Sequence, residues 1–158
     1  KFDEYRKDNS VRTTLAHQLA LYVVLYSPIQ MAADLPEHYQ KHLDAFQFIK
    51  DVPVDWDDTK VLNADIGKYV TIARKEKKSE DWFIGSLTDE SKRELEIPLD
   101  FLNDSLEYEA IIYQDGIDAD YLTNPTAYEI KRMHVSSKSH LKIQLAAGGG
   151  VAIHIKKI

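Results

Sequence analysis

The sequence predicts an α+β fold in which a short helix–strand–helix unit precedes an antiparallel β-sandwich of about eight strands. The amino-terminal part carries apolar runs of helical character, whereas from about Asp57 apolar and polar residues alternate with a period of two. This change of period predicts two segments, residues 1–56 and residues 57–158.

The first predicted element is a helix at Thr13–Tyr26, which contains no Gly or Pro and is apolar nearly all round. Such a helix expects to be covered on most sides. Pro28 blocks its continuation. The short apolar run Ile29–Ala33 that follows is typical of a buried parallel strand, although periodicity alone does not separate it from a helix.

A second helix is predicted at about Glu37–Asp51. Asp34 with Glu37 three residues later fits a capping box, Pro36 suits the first turn, and Pro53 ends the helix. Helix, short buried strand and helix together are part of an alternating α/β architecture.

The remaining residues predict the sandwich. Gly148–Gly150 predicts a tight hairpin between the last two strands. The eight predicted strands, separated by turn-rich segments, are Lys60–Ile66, Tyr69–Arg74, Trp82–Leu87, Leu95–Leu99, Tyr108–Tyr113, Tyr128–Val135, Leu141–Leu145 and Val151–Ile155.

The helix–strand–helix unit cannot bury an all-round apolar helix by itself, because a parallel strand needs neighbours on both edges. We therefore expect the apolar surface of the helix Thr13–Tyr26 to be buried in one of two ways. Either a preceding part of the same protein, upstream of Lys1, packs against it, or a second copy of the chain does so in a homodimer.

The composition of the chain limits which classes of partner are possible. The net charge is −6 and the chain has no cysteine. An acidic chain disfavours nucleic acid and anionic membrane surfaces, and the absence of cysteine excludes a disulfide framework. The longest nearly unbroken apolar run, Leu19–Tyr26, is far shorter than the ~20 residues of a membrane-spanning helix.

Five runs, which together cover nearly the whole chain, are long enough to compare with a known family. They are RTTLAHQLALYVVLYSPIQMAADLPEHY, FQFIKDVPVDWDDTKVLNADIGKYVTIAR, DWFIGSLTDE, IYQDGIDADYLTNPTAY and LAAGGGVAIHI. These runs resemble glycoside hydrolase family 97, the α-glucosidases and α-galactosidases best known from gut Bacteroidetes.

The resemblance implies a position for each element. Thr13–Tyr26 is similar to helix seven of a (β/α)₈ barrel, Ile29–Ala33 to strand eight and His38–Asp51 to helix eight, with the C-terminal β-sandwich following. The expected function is thus that of the C-terminal portion of an α-glucosidase-like hydrolase of oligosaccharides, which closes and braces the barrel. An α-galactosidase of the same family is the alternative.

The same resemblance places the chemistry elsewhere. Family members use glutamates beside a calcium ion, and these motifs belong to barrel strands that precede this chain. We expect no catalytic residue, no metal ligand and no activity in these residues alone. A periplasmic or secreted location follows from the resemblance as well.

Asp34 is the one candidate substrate-binding residue. It falls at the carboxyl end of the proposed strand eight, where the active sites of (β/α)₈ barrels lie. The alternative is that Asp34 only caps the following helix, which the Asp-Leu-Pro-Glu pattern fully explains.

Two other polar constellations have simpler structural explanations. His38 and His42 have the i, i+4 spacing of zinc ligands but no obvious third ligand. Asp115, Asp118 and Asp120 do not fit a calcium loop and are expected to form a solvated turn.

A non-catalytic carbohydrate-binding module is the competing function. Trp56, Trp82, Tyr113 and Tyr121 could form a sugar-stacking platform, although aromatic residues of sandwich strands more often lie in the core. The apolar helix also argues against this function, because a free-standing module has no reason to carry one.

Overall fold

The computed structural model describes residues 11–158, so Lys1–Glu4 and the rest of residues 1–10 lie outside the described part. Within that part no helix is long and apolar enough to cross a bilayer. The helices are α1 (Leu15–Val24), α2 (Pro36–Gln40) and α3 (Leu43–Asp51). The strands are β1 (Trp56–Asp65), β2 (Tyr69–Glu76), β3 (Trp82–Thr88), β4 (Arg93–Pro98), β5 (Tyr108–Asp115), β6 (Tyr128–Val135), β7 (His140–Leu145) and β8 (Gly150–Lys157).

All eight predicted strands are present, and the α+β fold class is confirmed. Six strands form one antiparallel sheet in the order β1-β2-β3-β8-β5-β6, and β4 pairs with β7 in a second sheet. The predicted hairpin at Gly148–Gly150 is wrong, because β7 and β8 belong to different sheets. The glycines instead carry the chain from one sheet to the other.

The central strands of the large sheet are buried on both faces, which explains their nearly continuous apolar character. In β8, Val151 and Ile153 belong to the core between the two sheets. Ala152, between them, belongs to a second core on the opposite face, which also contains residues of α1 and α3. Because side chains alternate along a strand, one sheet serves two cores, and the molecule has three layers.

Helix α1 lies on the outer face of the large sheet, where Gly85 of β3 allows a close approach. A Cβ atom at Gly85 would lie 2.6 Å from the carbonyl oxygen of Ala20 and 3.0 Å from the Cβ of Val23. The helix buries five residues there, and each fully buried Leu or Val side chain contributes about 2 kcal/mol. The buried residues are Leu15, Ala16, Leu19, Ala20 and Val23.

The predicted strand Ile29–Ala33 is wrong for the chain as described. These residues have no strand pairing, and the side chains of Ile29 and Met31 are 74% and 78% exposed. The physical reason is that a parallel strand exists only through hydrogen bonds to neighbours, and residues 11–158 provide none.

The single helix predicted at Glu37–Asp51 is two helices, α2 and α3, separated at Lys41 and His42. His42 leaves the helical region with φ −134° and ψ 50°. Its side chain turns to the sandwich, where its ring meets that of Tyr128 edge to face at 5.7 Å. This tertiary contact is invisible to local helix propensity.

The docking of α1 predicts that Gly85→Ala destabilises the fold by about 2 kcal/mol, because a methyl group must displace the helix backbone. Gly67→Asn is the matched control, since Gly67 has φ +79° with open space around it and Asn tolerates that conformation. Thermal denaturation of both variants measures the difference. Equal melting temperatures for Gly85→Ala and the parent would contradict the close packing.

Candidate functional site

Asp34 lies immediately before α2, and its carboxylate is engaged by nearby groups. Its Oδ1 accepts a hydrogen bond from the amide of Leu35 at 2.8 Å and lies 2.6 Å from Nδ1 of His38. The predicted capping box is wrong, because Leu35 is the N-cap of α2 and no side chain caps that helix. Asp34 lies one residue before this N-cap, and its side chain contacts the backbone amide of Leu35 and the imidazole ring of His38.

A groove of about 240 Å³ separates α1 from α2 and α3, with Asp34 on its wall. Residues of the 25–35 segment line it on one side, and the side-chain amide of Gln30 donates to the carbonyl oxygen of Leu25 at 3.2 Å. The hydroxyl of Tyr22 donates to the carbonyl of Met31 at 3.2 Å. These bonds hold the segment against the carboxyl-terminal end of α1.

The groove offers little chemistry by itself. Of the described residues that line it, Asp34 carries the one carboxyl group. Hydrolysis of a glycosidic bond ordinarily requires two carboxyl groups across the scissile bond. Asp34 and His38 could together hydrogen-bond a sugar hydroxyl, but this groove does not provide an acid and a nucleophile or base.

The histidine and aspartate constellations are engaged in other contacts. His38 contacts Asp34, and Nδ1 of His42 lies 3.3 Å from the hydroxyl of Tyr128. Asp120 caps a local turn through the amides of Leu122 and Thr123. Across residues 11–158, no group of three or more His, Cys, Asp or Glu side chains could hold a metal ion.

Asp115 departs from the prediction of a solvated turn, because it is buried at the end of β5. Its Oδ2 accepts from the amides of Ala146 and Gly150, both at 2.9 Å. Burial raises the pKa of Asp115, against hydrogen bonds from Thr14 and from these two amides that lower it. The carboxyl group therefore organises the crossover between the sheets rather than a metal site.

The aromatic candidates do not form a sugar platform. Trp82 is buried in the core between the sheets and Tyr113 in the helix-side core. Trp56 packs on the ring of Phe83 with centroids 5.8 Å apart. Tyr121 covers Gly148, where a Cβ atom would approach its Cβ to 2.8 Å.

One set of contacts that the sequence did not reveal fixes the amino-terminal end of α1 to the sandwich. The hydroxyl of Thr14 caps the helix by accepting from the amide of His17 at 3.2 Å. Nδ1 of His17 lies 3.0 Å from the carbonyl oxygen of Gly149, and the amide of Thr14 donates to that of Gly148 at 3.1 Å. In the sequence only the run Gly148–Gly150 pointed to this region, and it indicated a turn rather than a contact with α1.

A second unpredicted contact fixes the other end of α1. Arg74 of β2 is buried, and its Nε donates to the carbonyl oxygen of Val23 at 2.6 Å. Its guanidinium also donates to the hydroxyl of Thr59 at 2.8 Å and lies over the ring of Tyr26. A cation suits the negative end of a helix dipole and satisfies carbonyl groups that the helix leaves unbonded.

Comparison with known proteins identifies the family of this chain. Residues 55–156 match the family model described as glycosyl-hydrolase 97 C-terminal, oligomerisation, which is more than half of the chain. The chain belongs to glycoside hydrolase family 97. The resemblance seen in the sequence is thereby confirmed.

Two relatives of this family 97 chain are well matched. It is 36% identical over 143 residues to a retaining alpha-galactosidase of Bacteroides thetaiotaomicron, covering 90% of this chain and 21% of that protein. It is 49% identical to a family 97 enzyme of Pseudoalteromonas sp. strain K8 in complex with acarbose, with a TM-score of 0.91. That match covers 93% of this chain and 23% of the other.

The Pseudoalteromonas enzyme has also been solved with panose. A beta-arabinopyranosidase at 23% identity and a TM-score of 0.74 shows the same fold, covering 90% of this chain and 21% of its own. The family 97 chain therefore spans somewhat more than a fifth of the length of these relatives.

The buried position of His17 predicts a pH-dependent contribution to stability. Burial lowers the pKa of His17, although the carbonyl groups of Gly149 and Gly148 oppose this shift. Between the folded pKa and the unfolded value of 6.5 the unfolded chain binds the extra proton, so stability from His17 is lost as pH falls below 6.5.

His17→Asn keeps an N–H donor for Gly149 but does not titrate. Urea unfolding of the chain at several pH values between about 7.5 and 5 should give a shallower loss of stability in this variant. A variant whose free energy of unfolding follows the parental pH dependence would show that His17 does not act in this way.

Proposed function

We propose that this chain is the C-terminal part of an α-glucosidase-like enzyme that hydrolyses α-glucosidic bonds of oligosaccharides. In that enzyme α1, the 25–35 segment, α2 and α3 complete a (β/α)₈ barrel, and the sandwich braces it. Because the chain spans only 21% and 23% of its relatives, the catalytic carboxyl groups are assigned to the rest of the enzyme.

The main observation that supports this proposal is the exposed apolar surface that follows the end of α1. Five large apolar residues over a short stretch are each at least 60% exposed, next to the groove that holds Asp34. A surface of this kind marks an interface. The residues are Leu25, Tyr26, Ile29, Met31 and Leu35.

A barrel is the cover that explains the surface best. The 25–35 segment lacks strand partners, and strands one and seven of a closed barrel would supply them on both edges. A homodimer formed through the same residues is the alternative. It leaves the backbone of Ile29–Ala33 without parallel neighbours, and α1 already buries one side against the sandwich.

The degree of similarity supports the proposed preference for glucosides. The relative solved with acarbose and panose, which contain α-linked glucose-type units, is 49% identical to this chain. The retaining alpha-galactosidase is 36% identical and supports the alternative preference for galactosides. A carbohydrate-binding module is less favoured, because Trp82 and Tyr113 are core residues rather than a platform.

The proposal also concerns the calcium ligands and the cellular location of the intact enzyme. No metal-binding group of His, Cys, Asp or Glu occurs among residues 11–158, so these residues do not fit a calcium site. We assign calcium to ligands elsewhere in the intact enzyme, as the family resemblance implies. A periplasmic or secreted location is proposed on the same basis, with neither nucleic acid nor membrane as a partner.

The decisive experiment compares the intact enzyme with the 158-residue chain on nitrophenyl α-glucoside and α-galactoside. The intact enzyme should hydrolyse the glucoside faster, and the chain alone should hydrolyse neither. An intact enzyme without α-glycosidase activity would overturn the proposal, and turnover by the isolated chain would place the catalytic groups within it.

The same assay tests the proposed contact between Asp34 and the substrate. In the intact enzyme Asp34→Asn should raise KM at an unchanged melting temperature, because a carboxylate that accepts from a sugar hydroxyl becomes a neutral amide. Gln47→Asn on the exposed side of α3 is the control. An unchanged KM would leave Asp34 with a structural role only.

A further inference from the structure

Tyr128, the first residue of β6, reaches from the sandwich to the start of α3. Its hydroxyl donates to Oδ1 of Asp44 at 2.7 Å, and that oxygen also accepts from the amide of Ala45 at 2.9 Å. Nδ1 of His42 lies 3.3 Å from the same hydroxyl. One sandwich side chain thus contacts two residues at the junction of α2 and α3.

The charges favour this hydrogen bond. Burial raises the pKa of Tyr128, and the hydrogen bond to Asp44 and the charge of that carboxylate raise it further. Burial alone would raise the pKa of Asp44, but the hydrogen bonds from Tyr128 and Ala45 outweigh it and lower that pKa. At neutral pH the contact is a phenol that donates to an ionised carboxylate, which is stronger than a neutral pair.

The sandwich side of the contact is firmly held. Tyr128 pairs with Asp115 in the β5–β6 ladder and packs against the helix-side core. The preceding residue, Ala127, accepts from the amide of Gly116 at 3.0 Å. Tyr128 is therefore held in place by the sandwich, and it contacts the more exposed residues His42 and Asp44.

The position of Asp44 and His42 gives the contact its significance. In the proposed barrel α3 takes the place of helix eight, and residues 34–42, which include α2, connect strand eight to α3. Such connections lie at the carboxyl ends of the strands, where the active site is. This connection carries the paired Asp34 and His38. A displacement of about 1 Å in a substrate-facing loop can reduce the rate substantially.

We propose that Tyr128 is a positioning residue through which the sandwich fixes the 34–42 connection at the active-site face of the barrel. The inference rests on the proposed function and deepens it. The sandwich then does more than stabilise the barrel, because it orients the segment that faces the substrate.

The test uses Tyr128→Phe in the intact enzyme, which removes the hydroxyl and keeps the ring. We expect kcat/KM on the nitrophenyl α-glycoside that the parent hydrolyses to fall about tenfold at a temperature where the variant is fully folded. Tyr108→Phe is the matched control, because Tyr108 is fully buried in the core between the sheets, at the other end of the β5–β6 ladder. Its kcat/KM should equal that of the parent.

A second pair of variants separates positioning from simple loss of stability. Asp44→Ala should reproduce the loss, Asp44→Asn should restore part of it by keeping an acceptor, and Tyr128→Phe combined with Asp44→Ala should be no worse than either alone. Unchanged kcat/KM in Tyr128→Phe, or losses that track the melting temperature alone, would overturn the inference. A parent enzyme without activity would instead refute the proposed function.

Discussion

The close approach of α1 to β3 at Gly85 is the contact on which the rest of the structure depends. With no side chain at this position, the backbone of Ala20 lies directly on the sheet. This places Thr14 and His17 within reach of the glycine crossover and brings the last carbonyl groups of α1 to Arg74. Both ends of the helix are thereby fixed by the sandwich.

The position of α1 makes it part of two structures. One side belongs to the helix-side core of the sandwich, and the other lines the groove with the 25–35 segment. In the proposed enzyme the same helix is the seventh of the barrel, so barrel and sandwich share a core instead of meeting at a linker. In that proposed enzyme the packing of α1 on the sandwich would also determine where the 25–35 segment lies, because this segment is hydrogen-bonded to α1.

Much of the fold could be predicted from local pattern. Clean period-two alternation marks β2, β4, β7 and β8, and turn-rich segments separate the other four strands. The boundary between residues 1–56 and 57–158 stays a prediction, although β1 begins at Trp56. Pattern failed where partners are distant in sequence. It could not show that Gly148–Gly150 changes sheets, or that Tyr128 contacts Asp44, which is 84 residues away in the sequence. The five long runs of the sequence, in contrast, are enough to identify the family without any knowledge of contacts.

In the proposed enzyme the rest of the same polypeptide covers the apolar surface at residues 25–35. Hydrogen–deuterium exchange of the intact enzyme and of the 158-residue chain tests it most directly. The amides of α1 should be protected in both, whereas those of residues 25–35 should exchange fast in the chain and slowly in the intact enzyme. Fast exchange of residues 25–35 in the intact enzyme would contradict the account.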